Sequence, residues 1–322
     1  MKPFAFVFPG QGSQSVGMLA GWGDHPQVLA ALHEASDALG EDIGRLIQDG
    51  PKEALALTTN TQPVMLVAGV AAYRVWMAEV GVAPRALAGH SLGEYSALVA
   101  SGVLSLTQAA PLVRFRAQAM QDAVPVGMGA MAAILGMDAA KVMAGCAEVT
   151  SSFGAGSAEV VEAVNFNDPG QTVIAGSKAA VEQACVALKA LGAKRALPLP
   201  VSAPFHSSLM KPAALKLKDR LAATAFAAPQ IPVINNVDVA VEQDAERIRD
   251  ALFRQAFGPV RWVECVQAFG ARSLPNLVEC GPGKVLAGMT KRIHAEMQGL
   301  PLFDLASLAE VKTFILDADR HK

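Results

Sequence analysis

The chain is poor in charged residues, in aromatic residues and in cysteine. Charged residues make up 17% of its 322 residues and aromatic residues 6%, whereas hydrophobic residues make up 52%. A disordered chain has the opposite balance, so we expect a compact globular protein, either one large domain with an inserted lobe or two domains. The net charge is −2 and there is no long basic run, which argues against nucleic acid as a partner.

Cysteine and histidine are not only few but also scattered. The four cysteines form no Cys-x-x-Cys pair and are typical of small core residues in a reducing compartment, and the six histidines show no metal-ligand spacing. Residues 4–8 are too short an apolar run for a signal peptide, and the longest apolar stretch, residues 63–73, is too short for the about 20 residues that a bilayer needs. We therefore predict a cytoplasmic protein with no metal site and no membrane partner.

What the chain does contain is a serine between two glycines at the end of a short apolar run. Residues 89–93 are Gly-His-Ser-Leu-Gly, and a helix-like run of Ala, Leu and Val follows. This pattern is typical of a serine on a sharp strand-to-helix turn, where a Cβ on either glycine would collide with the passing backbone. The helix N-terminus would favour the oxyanion that a nucleophilic serine generates. The flanking strand and helix favour this interpretation of Ser91 over a chance Gly-Ser-Gly turn.

The order of apolar runs predicts an α/β fold with a hydrolase-like parallel-sheet core. Residues 4–8 are apolar without alternation, as in a strand buried on both faces, and a Gly-rich loop follows at residues 9–14. That loop is either a plain turn or a place where Gln11 faces the serine. Residues 126–199 change to a β-α-β-β-α-β pattern, that of a ferredoxin-like α+β subdomain. The predicted large domain is therefore discontinuous, comprising residues 1–125 and 200–322.

Two histidines compete for the role of the base that a serine nucleophile needs. His90 adjoins Ser91, but adjacent side chains on a tight turn diverge, so a structural role is favoured for it. His206 follows the inserted lobe in a stiff Pro-Phe-His segment and is the better base, with a buried structural histidine as the alternative. No convincing acid lies between Ser91 and His206, so we predict a Ser-His dyad. A backbone carbonyl or an amide such as that of Gln255 would orient the histidine.

Eight stretches of the chain match the motifs of one enzyme family in order: residues 8–14, 60–63, 89–95, 114–120, 165–167, 200–206, 255–262 and 281–284. Through them, almost every segment of the chain resembles the malonyl-CoA:acyl carrier protein transacylases of bacterial fatty-acid synthesis. The resemblance implies that Ser91 is the nucleophile and His206 the base. It also implies that the backbone N–H groups of Gln11 and Leu92 form the oxyanion hole.

The same resemblance implies a set of residues that contact the substrate. Arg116 would bind the malonyl carboxylate, because a guanidinium pairs with a carboxylate through two parallel hydrogen bonds. The alternative role for Arg116 is a structural ion pair. Phe205 and Leu92 would fill the space beside the acyl α-carbon, which accompanies malonyl rather than methylmalonyl choice in related acyltransferases. The remaining implied substrate-binding residues are Gln62, Asn165 and Gln255, the last of which would also orient the loop of His206.

The expected activity is a ping-pong transfer of malonyl from malonyl-CoA to the phosphopantetheine thiol of acyl carrier protein through a malonyl-serine intermediate. We expect a monomer with no bound cofactor, whose partners are a coenzyme A ester and, transiently, the carrier. Acyl carrier proteins are acidic, so a basic surface is expected, although an ordinary solvated face is the alternative for each of its candidates. These candidates are Lys189, Lys194, Lys284, Lys291 and Arg292.

Three other functions are alternatives to this one. A serine thioesterase or esterase would need the same serine and histidine but no Arg116. A transacylase of a polyketide or malonate pathway would share the fold and the chemistry and differ in its carrier. A non-catalytic scaffold would bind coenzyme A esters without being acylated.

Overall fold

The computed structural model describes residues 1–201 and 203–317, so Ser202 of the segment before His206 lies outside the described residues. The described strands are β1 (Phe4–Phe8), β2 (Leu87–Gly89), β3 (Gly129–Leu135), β4 (Val161–Asp168), β5 (Gln171–Ser177), β6 (Arg195–Pro198), β7 (Val233–Ile234), β8 (Asn276–Cys280) and β9 (Gln298–Leu302). The described α-helices are α1 (Pro26–Leu39), α2 (Ile43–Asp49), α3 (Lys52–Ala56), α4 (Thr58–Glu79), α5 (Gly93–Ala100), α6 (Leu106–Asp122), α7 (Ala139–Ser152), α8 (Lys178–Ala190), α9 (Lys211–Ala222), α10 (Ala245–Gln255), α11 (Trp262–Ala271), α12 (Val285–Ile293) and α13 (Leu305–Leu316).

The first compact unit comprises residues 1–117, 223–248 and 265–322 and is built on a parallel sheet. Its strand order is β7-β2-β1-β8-β9, and every adjacent pair is parallel. All five residues of β1 are buried, as the run without alternation predicts for a strand covered on both faces. The α/β fold class with a parallel-sheet core is therefore confirmed.

The register of this sheet determines where its loops lie. Phe8, the last residue of β1, pairs with Gly89, the last residue of β2. Two parallel strands that end at the same level carry their following loops to the same edge of the sheet. The Gly-rich loop after β1 and the serine turn after β2 are thereby brought together.

The second compact unit comprises residues 118–222 and 249–264 and contains an antiparallel sheet. The strand order is β4-β5-β3-β6, with all adjacent pairs antiparallel. Helices α7 and α8 contribute Val142, Cys146, Ala184 and Leu188 to a core shared with Ile174 of β5. This is the β-α-β-β-α-β arrangement that the sequence predicts.

The compact units do not coincide with the predicted domain bounds. The second unit takes in residues 118–125, 200–222 and 249–264 in addition to the segment 126–199. That the inserted lobe comprises residues 126–199 stays a prediction.

The buried helix before the serine turn begins earlier than the sequence pattern indicates. The run before Pro63 suggests a start at Gln62, whereas α4 begins at Thr58 and contains Pro63 inside it. Thr61 Oγ1 donates to the carbonyl oxygens of Leu55 and Leu57, which ties the first turn to the preceding segment. Among residues 1–201 and 203–317, no helix is both long and apolar enough to cross a bilayer.

Three elements are not predicted from the sequence: α2, α10 and β9. Strand β9 contains a glycine and a proline, which normally interrupt strands. It lies at the edge of the sheet, where a missing N–H is tolerated. The Cβ of any residue other than glycine at position 299 would lie 2.1 Å from the carbonyl oxygen of Ala287, so this glycine permits a close approach to α12.

Candidate active site

Ser91 lies in the turn between β2 and α5 in a left-handed conformation. Its φ of 53° costs a residue with a side chain roughly 1–3 kcal/mol. A Cβ at position 89 would lie 1.8 Å from the carbonyl carbon of Gly93, and a Cβ at position 93 would lie 2.1 Å from the carbonyl oxygen of Phe8. Neither glycine can therefore carry a side chain, which is the steric reason for the Gly-x-Ser-x-Gly pattern.

The turn is braced by a residue that the sequence analysis does not single out. Asn236 Oδ1 accepts the backbone N–H of Ser91 at 2.8 Å, and Asn236 Nδ2 donates to the carbonyl oxygen of Gly89 at 2.7 Å. The backbone N–H of Asn236 donates to Glu94 Oε2 at 3.0 Å. Asn236 is fully buried and lies two residues after the end of β7. Its position past the carboxyl end of a parallel strand is the sequence signal that could have identified it.

Arg116 of α6 reaches the serine from within the same unit. Its Nη2 donates to Ser91 Oγ at 3.3 Å, and its Nη1 donates to Gln62 Oε1 at 2.7 Å. The guanidinium carbon lies 5.4 Å from the centre of the Tyr95 ring. Arg116 is 1% exposed and Gln62 is 3% exposed, so a buried cation lies beside the serine with a neutral amide as one of its partners.

Arg116 stays charged despite its burial because a guanidinium is not deprotonated in proteins. Burial lowers the pKa of Arg116, and the nearby Tyr95 and Glu94 offset part of that shift. Burial raises the pKa of Tyr95 to about 12, so its phenol is neutral at physiological pH. Arg114, two residues away, pairs instead with Glu41 at 2.8 Å on a more exposed part of the helix. Only Arg116 of these two is therefore directed to the serine.

Gln11 and Leu92 lie where the two loops meet. An ideal Cβ on Gly10 would be 2.6 Å from the carbonyl oxygen of His90 and 3.7 Å from the backbone nitrogen of Leu92. In the described part of the chain, the backbone N–H groups of Gln11 and Leu92 donate no hydrogen bond. Both are thus available to an acceptor, while the Gln11 side chain is held by Thr58 Oγ1 at 3.3 Å.

His206 belongs to the second unit and is held by a backbone carbonyl. Its Nδ1 lies 2.8 Å from the carbonyl oxygen of Gln255, and His206 is only 4% exposed. A carbonyl oxygen can only accept, so Nδ1 carries the hydrogen, and the neutral form of the ring is the tautomer whose Nε2 can take a proton. Of the two orienting groups that the sequence suggests, the backbone carbonyl makes the bond. The φ of His206 is 64°, a left-handed conformation maintained by the buried loop around it.

The other predicted substrate-binding residues of this unit are less closely tied to His206. Phe205 is buried next to it in the chain, and its N–H donates to the carbonyl oxygen of Ala203 at 3.0 Å. Asn165 lies on β4 at an irregularity in the strand and forms a bridge with Val260, five residues after Gln255. Its side-chain Oδ1 is buried and has no hydrogen-bond partner among the described residues.

The structure therefore brings the predicted residues together in two groups. Ser91, Leu92, Gln11, Gln62 and Arg116 cluster in the first unit, whereas the second unit holds His206, Gln255, Phe205 and Asn165. The pairing of the serine with the histidine stays a prediction. All five basic candidates for a carrier-binding surface are exposed.

A buried cation, a strained serine and the N–H groups of two adjoining loops suit acyl transfer. Comparison with known proteins decides the family. A family model described as the acyl transferase domain matches residues 5–294. The chain belongs to the acyl transferase domain family.

The relatives of this acyl transferase domain are similar over nearly their whole length. The malonyl CoA-acyl carrier protein transacylase of Escherichia coli K12 is 55% identical over 310 residues, which are 96% of this chain and 98% of the relative. The crystal structure of an acyl-carrier-protein S-malonyltransferase from Burkholderia pseudomallei 1710b is 61% identical with a TM-score of 0.93, covering 97% and 100% of the two chains. A malonyl-transacylase in complex with a type II PKS acyl-carrier protein is 51% identical with a TM-score of 0.93, covering 98% and 99%.

Proposed function

We propose that this protein transfers a malonyl group from malonyl-CoA to the phosphopantetheine thiol of an acyl carrier protein in fatty-acid synthesis. The names of the relatives support both the donor and the acceptor. The observation that carries the proposal for this chain is the buried Arg116, whose Nη2 lies 3.3 Å from Ser91 Oγ. An acyl group bound to that oxygen has a cation beside it, which suits an acyl group ending in a carboxylate.

In the first half-reaction, Ser91 Oγ attacks the thioester carbonyl carbon of malonyl-CoA. His206 Nε2 takes the hydroxyl proton, and the backbone N–H groups of Gln11 and Leu92 receive the negative charge on the carbonyl oxygen. The carbon–sulfur bond then breaks, and His206 returns the proton to the departing thiolate of coenzyme A. The products are free coenzyme A and a malonyl ester of Ser91.

In the second half-reaction, the carrier's thiol occupies the position that coenzyme A has left. His206 takes the thiol proton, the thiolate attacks the malonyl ester, and the proton returns to Ser91 Oγ as the ester bond breaks. The backbone carbonyl of Gln255 holds the ring in the required tautomer throughout and helps to stabilise the imidazolium. No buried carboxylate is needed for this dyad.

The selectivity of the site follows from its charge. A hydrogen bond to a charged group is worth about 1.5–3 kcal/mol. That is enough to favour malonyl over acetyl by about tenfold to a hundredfold. Gln62 supplies Arg116 with a neutral acceptor, so this hydrogen bond does not neutralise the positive charge.

The direct test is to incubate the pure protein with malonyl-CoA and measure its intact mass. We expect the mass to rise by one malonyl group and to return to its starting value when holo acyl carrier protein is added. The Ser91→Ala variant should show no mass change. An unmodified wild-type chain would support a non-catalytic scaffold instead.

The competing functions predict different fates for the malonyl group. Hydrolysis of malonyl-CoA by water as fast as transfer to the carrier would indicate a thioesterase, which the names of the relatives do not favour. Comparing carriers of fatty-acid and polyketide synthesis under identical conditions would test the pathway. A monomeric state, action in the cytoplasm and the absence of a bound cofactor stay predictions.

A further inference from the structure

Asn236 links the serine turn to helix α5 of the first unit through hydrogen bonds of its side chain and backbone. Its side chain receives the N–H of Ser91 and donates to the carbonyl oxygen of Gly89, so it spans the turn on both sides of His90. Its backbone N–H is held by Glu94, which is 2% exposed in the first turn of α5. A buried amide with both polar atoms engaged has a single orientation.

These bonds give the backbone N–H groups of Ser91 and Leu92 different roles. The N–H of Ser91 is occupied by Asn236 Oδ1, whereas the N–H of Leu92 donates no hydrogen bond within residues 1–201 and 203–317. A free N–H at Ser91 would offer the substrate a second, wrongly placed donor. With it occupied, the turn presents the N–H that follows the nucleophile.

We propose that Asn236 is a positioning residue that holds Ser91 in its left-handed conformation and reserves the Leu92 N–H for the oxyanion. This inference rests on the proposed malonyl transfer through Ser91. The two side-chain bonds of Asn236 described above go to the backbone of Ser91 and Gly89. Asn236 acts through the serine backbone, and Glu94 fixes Asn236 in turn.

The chain offers a matched control one residue away. Asn235 is 5% exposed, and its Oδ1 accepts the N–H of Asp238 at 2.8 Å within the local turn. Its side-chain Nδ2 is buried and has no partner in the described residues. Asn235 has the same side chain and similar burial but no hydrogen bond to the serine turn. Asn235→Ala therefore removes a buried amide and its local hydrogen bond but leaves the hydrogen bonds of the serine turn intact.

The first experiment compares Asn236→Ala with Asn235→Ala in single-turnover acylation by malonyl-CoA, followed by intact mass. We expect the maximal acylation rate of Asn236→Ala to fall about tenfold to a hundredfold, because a misplacement of about 1 Å at a reacting group can cost a hundredfold. The malonyl-CoA concentration for half-maximal rate should stay within about twofold, since the substrate contacts remain. Asn235→Ala should keep its maximal rate within about threefold, although both variants should melt at lower temperature.

A second variant keeps the inference testable if Asn236→Ala does not fold. In Asn236→Asp, an ionised carboxylate still accepts the Ser91 N–H but repels the carbonyl oxygen of Gly89. A protonated carboxyl group can accept one bond and donate the other, so it restores the native pattern. Burial beside Glu94 raises the pKa of the introduced group. The acylation rate of Asn236→Asp relative to wild type should therefore rise at least fivefold from pH 8.5 to pH 6, whereas Asn235→Asp should give a constant ratio.

The outcomes separate the two proposals. A wild-type chain that malonyl-CoA does not acylate would overturn the proposed function. A wild-type chain that is acylated, with Asn236→Ala matching Asn235→Ala in maximal rate, would overturn the positioning role of Asn236. A flat Asn236→Asp to wild-type ratio across this pH range would overturn it independently of how well the alanine variant folds.

Discussion

Replacing Gln62 with glutamate tests whether the site selects its substrate by charge. Gln62 Oε1 accepts from Arg116 Nη1 at 2.7 Å in a buried setting. The substitution exchanges an amide for a carboxylate of the same shape, so the hydrogen bond to the guanidinium can persist. The net charge of the pair nevertheless falls from +1 to zero. An arginine so neutralised should bind a malonyl carboxylate poorly.

The size of the effect follows from the lost interaction. A charge-assisted hydrogen bond contributes about 1.5–3 kcal/mol. Its loss should lower kcat/KM for malonyl-CoA by about tenfold to a hundredfold. Acetyl-CoA has no carboxylate, so its kcat/KM should change by no more than about threefold. The measured quantity is the malonyl-to-acetyl ratio of kcat/KM, obtained with the same carrier protein and both donors.

Gln118→Glu is the matched control for this change. Gln118 is exposed on α6, two residues after Arg116, and the substitution alters the protein's charge by the same amount. It should leave the donor ratio unchanged. If folded Gln62→Glu keeps a donor ratio within about threefold of wild type, charge recognition by Arg116 is refuted.

Three further predictions test other parts of the structure. Arg116→Ala should abolish the preference for malonyl-CoA while retaining activity with acetyl-CoA. Equal loss with both donors would contradict recognition of the malonyl carboxylate by Arg116. Gly93→Ala should fail to fold or melt at a much lower temperature, because its Cβ would lie 2.1 Å from the Phe8 carbonyl oxygen. Gly288→Ala is the control, since α12 leaves open space there, and it should raise the unfolding free energy measured in urea by up to about 1 kcal/mol. Burial raises the pKa of Glu279 from 4.5 to about 7, so unfolding free energy should fall by up to roughly 3 kcal/mol from pH 4.5 to pH 8. Glu279→Gln should remove that pH dependence. If the unfolding free energies of variant and wild type differ by the same amount at every pH, the prediction is refuted.

The sequence by itself determines the features that local geometry controls. The buried run of β1 and the serine turn are predicted because their constraints act within a few residues: full burial excludes polar alternation, and backbone crowding excludes side chains at Gly89 and Gly93. The antiparallel lobe is predicted because its helices and strands alternate in one continuous segment. The edge strand β9 escapes prediction because its glycine and proline are tolerated only by its place in the sheet.

Only the tertiary structure decides which distant side chains meet at the serine. Asn236 is 145 residues from Ser91, and Gln62 is 54 residues from Arg116, yet each pair is joined by a direct hydrogen bond. The carbonyl that holds His206 belongs to the backbone of Gln255, and a backbone carbonyl has no signature in the sequence. Such bonds have no local period, because they form when sheet register and helix packing bring chain segments together. The nucleophile can therefore be predicted from the sequence, whereas the buried groups that orient it are identified only from the tertiary structure.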